Sequence, residues 1–84
     1  MKHAGPDALD GLEPLLDQIR VMPGLVERSP GVFYKKSKAF LHFHEDPAGM
    51  HADIRRDAEF VRYRVETAAE RAAFLEIVRE AATR

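Results

Sequence analysis

Apolar and polar residues alternate from Leu41 to His44 and again from Ala52 to Arg55, on either side of Asp46-Pro47-Ala48-Gly49. A period of two broken by a Pro/Gly turn predicts a half-buried β-hairpin. With Leu41, Phe43, Ala52 and Ile54 on the buried face, the pleat sends His42, His44, His51 and Asp53 to the other. Val32, Phe33 and Tyr34 are β-formers, so Gly31 to Lys35 reads as a strand, joined through Lys36-Ser37 to a strand over Lys38 to His44. After an Asp57-Ala58 turn, Glu59 to Glu66 alternates again: Val61, Tyr63 and Val65 face one way, Phe60, Arg62 and Arg64 the other.

Helical spacing frames these strands. From Asp10 onward, Leu12, Leu15, Leu16, Ile19 and Met22 form one apolar stripe, with Asp10 and Glu13 placed for a capping box, Pro14 near the first turn and Pro23-Gly24 as the stop. Thr67 and Glu70 fit a second capping box, followed by Phe74, Leu75, Ile77, Val78, Ala81 and Ala82 on one broad face. Leu25 to Arg28 is ambiguous before the Ser29-Pro30-Gly31 turn, and Met1 to Pro6 predicts a frayed terminus. The expected order is α-β-β-β-β-α. This is an α+β two-layer sandwich: a mostly antiparallel four-stranded sheet with both helices on one face.

A length of 84 residues is one domain. Hydrophobic residues at 45% and charged residues at 32% are those of an ordinary globular chain. With no cysteine there is neither a disulfide framework nor a thiolate zinc site, and a reducing cytoplasm is the default expectation. No apolar run approaches a membrane span, and the N-terminus lacks an apolar signal core. A net charge of −1 provides no global attraction to nucleic acid. Local basic groups exist at Lys35, Lys36 and Lys38, at Arg55 and Arg56, and at Arg62 and Arg64; their plainest reading is as solvated strand and turn charges. Nucleophilic catalysis is disfavoured, because none of Ser29, Ser37, Thr67 and Thr83 lies in a nucleophile elbow, and the scattered glycines form no phosphate loop.

Two helices on one face leave the other uncovered, and candidate chemistry gathers there. The expected open-face residues are Phe40, His42, His44, His51, Asp53, Arg55, Arg62 and Arg64. Pairing His44 with His51 and His42 with Asp53 brings four donor groups together. Three readings follow. His42, His44, His51 and Asp53 offer the N/O ligand set of a divalent metal, with Glu45 or Asp46 as proton carriers should the metal be catalytic. Arg55, Arg62 and Arg64 could pair phosphates while Phe40 stacks a base, a nucleic-acid reading that the negative net charge disfavours. The histidines could instead be fillers of a wet face or of a homodimer interface, the commonest cover for such a surface. The leading expectation is a small domain that binds a ligand or partner through its His-rich face. A metal-dependent enzyme of hydrolase or oxygenase type, using the same four residues, is the alternative.

One resemblance bears on this. The run from Leu15 to Arg20 through Pro23-Gly24, then Gly31-Val32-Phe33, Phe40-Leu41-His42-Phe43-His44 and His51-Ala52-Asp53-Ile54, resembles the small bacterial proteins of the luciferase-domain family. The matching positions are His42, His44 and Asp53. That resemblance implies a compact α+β domain with no established substrate; it implies no light emission, as the chain has neither a recognisable flavin nor a luciferin site.

Overall fold

The computed structural model describes residues 2–84. Its elements run β1 (Lys2–His3), α1 (Pro6–Asp10), α2 (Glu13–Arg20), β2 (Leu25–Ser29), β3 (Val32–Lys35), β4 (Lys38–Asp46), β5 (Gly49–Arg56), β6 (Glu59–Arg64) and α3 (Ala68–Ala82). The class is α+β, as the periodicity predicts. The sheet is antiparallel in the order β2-β3-β4-β5-β6, with β1 added beside β4. Six strands and three helices thus replace the expected four and two.

Each additional strand has a cause in contacts with other elements, which periodicity does not carry. Arg20, in the last turn of α2, donates to Glu13, Asp17 and Glu27, and Glu27 also accepts the Gly31 amide. This web ties α2 to β2, turning the ambiguous Leu25 to Arg28 run into a strand. Of the expected frayed terminus, Met1 lies outside the described residues. Lys2 and His3 are not frayed but paired: Lys2 opposes Glu45, His3 opposes His44, and the Ala4 and Gly5 amides donate to the Phe43 carbonyl and the Glu45 carboxylate. Two polar residues have no period to read, so only the partner strand reveals them.

The first predicted helix divides. Pro6 opens α1 and Pro14 lies in the first turn of α2, where a missing N–H does least harm. The expected Asp10–Glu13 capping box does not form, because Leu12 is the N-cap of α2 and Glu13 pairs with Arg20 instead. The Thr67–Glu70 box is formed in full: the Thr67 hydroxyl accepts from the Glu70 amide and the Glu70 carboxylate accepts from the Thr67 amide. Leu12, Leu15, Leu16 and Ile19 then meet Phe74, Leu75 and Val78 over Phe33, Leu41, Phe43, Ala52 and Ile54 in one buried core. Both principal helices lie on this side of the sheet. Among the described residues, no helix is long and apolar enough to cross a membrane.

A bulge corrects one position. Phe33 pairs with Leu41 but Tyr34 pairs with Ala39, so Phe40 is an extra residue on β4. The side chain is turned out of the open face and into the core, 4% exposed. Lys35 Nζ stands 5.6 Å from its ring centroid and donates to the Ala81 carbonyl of α3. Phe40 therefore belongs to the helix-side layer and is no stacking platform.

Gly31 shows how tightly the first helix is seated. It has φ +74°, and a Cβ there would lie 2.7 Å from a Leu9 methyl in α1. Gly31→Ala should lower stability by roughly 1–3 kcal/mol through left-handed strain and this clash. The urea unfolding midpoint is the check, and an unchanged midpoint would contradict the packing described.

Candidate functional site on the open sheet face

The β4–β5 register is the one the alternation predicts: Leu41 opposes Ile54, His42 opposes Asp53, Phe43 opposes Ala52 and His44 opposes His51. Asp53 in turn opposes Arg62 on β6, and His51 opposes Arg64. Because directly opposed residues share a face, His3, His42, His44, His51, Asp53, Phe60, Arg62 and Arg64 all stand on the side away from the helices.

Asp53 is the centre, only 8% exposed on a face that no helix covers. Arg62 grips it as a fork, with Nε 2.7 Å from Oδ1 and Nη2 2.8 Å from Oδ2. Oδ2 also faces two imidazoles, His44 Nε2 at 3.0 Å and His42 Nε2 at 3.4 Å. The close approach of His44 is not an aligned hydrogen bond. Among the described residues, neither Nδ1 nor Nε2 of this 7% exposed residue has a hydrogen-bond partner. Buried polar groups are almost always satisfied, so an imidazole with both nitrogens open is an exception that calls for a ligand or water.

Metal-type donors of His42, His44 and Asp53 all lie within 4.8 Å of one another. His51, expected as a fourth, is outside that group: it sits one pair along the ladder, towards Arg64, with its Nδ1 buried and unpartnered. His3 is the imidazole that sequence reasoning missed. Its ring centroid lies 4.8 Å from that of His44 and 5.5 Å from that of His42. Phe60 was also passed over, although its open-face phase was legible; its ring meets His42 edge-on at 5.1 Å and carries the Arg55 guanidinium at 4.6 Å.

The remaining expected residues hold structure together. Arg55 Nε donates to the Ala39 carbonyl, closing the gap that the Phe40 bulge leaves between β4 and β5. Arg64 pairs with Glu70 at the start of α3. Glu45 accepts the Gly5 amide and pairs with Lys2, and Asp46 accepts the Ala48 amide within the turn, so both candidate proton carriers are engaged away from the cluster.

Charge states follow from these surroundings. The Arg62 fork holds the Asp53 carboxyl below its usual range, against the opposing effect of burial. Burial lowers both His42 and His44, and their mutual repulsion pushes His42 further, while Asp53 acts in the opposite direction. The imidazoles are thereby kept neutral, the form with a lone pair free to bind. No family model, curated protein or solved structure matches this chain, so the chemistry of the site rests on its own geometry.

Both shifts act in one direction on stability. As pH falls through the ordinary imidazole value of 6.5, the unfolded chain takes up protons before His42 and His44 do, and stability declines until the folded values are passed. Further loss follows near and below the ordinary aspartate value of 3.8, as protonation releases Arg62. Urea midpoints measured from about pH 7.5 down to about pH 5 should fall steadily, and less so in His44→Gln. A flat profile in the wild-type chain would contradict the assigned charge states.

Proposed function

We propose that this protein binds a divalent transition metal ion on its open sheet face, with His42, His44 and Asp53 as ligands and His3 beside them. The observation that carries this reading is His44: nine-tenths buried, with no hydrogen bond at either nitrogen among the described residues, and directed into a group of potential ligands. Separations of 3.0 and 3.4 Å between the imidazole nitrogens and Oδ2 support it. A tetrahedral ion with bonds of about 2.0–2.1 Å sets neighbouring ligand atoms roughly 3.3 Å apart. Carboxylate oxygens carry two lone pairs each, so Oδ2 can accept from Arg62 and still face the imidazoles. Arg62 is then the outer group that orients a ligand, a role such groups commonly have around metals.

The donor set decides which ions are suitable. Two imidazoles and one carboxylate are borderline N/O ligands, favouring zinc, nickel or copper over magnesium or calcium. This reading is one of binding rather than turnover, since Glu45 and Asp46 are committed to backbone amides and Lys2.

The test uses protein prepared without a polyhistidine tag, stripped with chelator and titrated calorimetrically with zinc, nickel or copper. One saturable equivalent is expected. Affinity should drop by about tenfold or more in His42→Ala and in His44→Ala, and stay near wild type in His51→Ala. Absence of saturable binding, or equal affinity in His44→Ala, would overturn the proposal.

A further inference from the structure

At the end of the sheet remote from the β4–β5 turn lies a second, separate concavity. It is about 290 Å³ in volume and is formed where the β3–β4 and β5–β6 turns approach the C-terminal end of α3. Six of its lining residues are cationic: Lys35, Lys36, Lys38, Arg55, Arg56 and Arg84. Asp57 is the sole anionic residue in the lining, and Ala39, Phe40 and Ala81 supply apolar surface.

The cations are only partly neutralised: two lack a carboxylate partner and two share one. Among the described residues, no carboxylate lies within 4.0 Å of the Lys36 or Lys38 ammonium groups. Arg56 and Arg84 share the single Glu80 carboxylate oxygen Oε1. Lys35 donates to the Ala81 carbonyl and to the main-chain oxygen of Arg84, the last residue of the sequence, so its charge is already engaged beside the C-terminal turn of α3. Lys36 and Ser37 hold the turn with positive φ, of 52° and 67°, placing consecutive basic side chains around one rim. Like charges gathered about a concavity repel, and an anion between them relieves that repulsion.

From this convergence we infer a binding site for a small phosphorylated molecule, its phosphoryl group held by Lys36, Lys38 and the Arg56–Arg84 pair and its organic part against the apolar surface that Ala39, Ala81 and the edge of Phe40 supply. Several converging donors and an excess of positive charge match a dianionic phosphoryl group better than a single carboxylate, which has half the charge and fewer acceptor oxygens. The volume lies at the lower edge of ligand pockets, suiting a small molecule rather than a nucleic-acid strand. His42, His44 and Asp53 line no part of this concavity, so the inference stands apart from the metal reading.

The experiment titrates isotope-labelled protein at low salt with phenyl phosphate, inorganic phosphate, benzoate and a short oligothymidylate, following amide shifts. Phenyl phosphate should move residues 35–40, 55–57 and 81–84 and bind more tightly than either phosphate or benzoate. The Lys36→Asn/Lys38→Gln double variant, whose spectrum reports whether it folds, should bind phenyl phosphate about tenfold or more weakly. His42→Ala should bind it as wild type does, so failure at the metal cluster and failure here are told apart. Scattered shifts, unaltered affinity in the folded double variant, or equal affinity for benzoate would overturn the inference. Tighter binding of the oligothymidylate to these same residues would overturn the small-molecule class.

Discussion

Asp53 is a carboxylate buried on the one face of the sheet that has no helix over it, and that constraint organises much of the surrounding structure. A buried charge must be compensated, and here Arg62 from β6 supplies the compensation as a bidentate ion pair, while His42 and His44 from β4 close over the other side of the carboxylate. The ladder must therefore keep its register over all three strands. A slip of one residue would send Asp53 into the apolar layer and Ala52 or Ile54 to the polar one.

This arrangement also explains why the polar face is shielded without a second layer. Phe60 and His3 flank the cluster, one from β6 and the other from β1, and His42 and His44 meet edge to face between them. Aromatic rings reduce solvent access while leaving ring nitrogens to face inward. The result is a partly shielded region around one Arg62-paired carboxylate and two imidazoles whose charged forms burial disfavours.

The two candidate sites divide the molecule's electrostatics. The imidazole cluster lies towards the β4–β5 turn and the β1 addition, whereas the lysine and arginine rim gathers at the other strand ends, around the turns between β3 and β4 and between β5 and β6. Phe40 connects them indirectly. Its bulge removes an aromatic from the polar face and installs it as the apolar floor of the basic concavity, so one backbone irregularity shapes both places.

Much of this was legible in the chain. Alternation in Leu41–His44 and Ala52–Arg55 determined the hairpin, its register and the common face of His42, His44 and Asp53, because a pleat admits only two sides. The Thr67–Glu70 box and the apolar stripes determined where the helices lie and which face they bury, since capping and amphipathicity are local properties. What only the tertiary structure decided involves residues whose conformation depends on distant partners. His3 joins the cluster because Glu45 and Phe43 receive the amides beside it; β2 is tied to a helix through Arg20 and Glu27; Phe40 turns inward because the register shift against β3 makes it the extra residue of a bulge. No pattern within a few residues encodes such contacts, and they are what adds a third imidazole to the row of histidines and buries His44 beside Asp53.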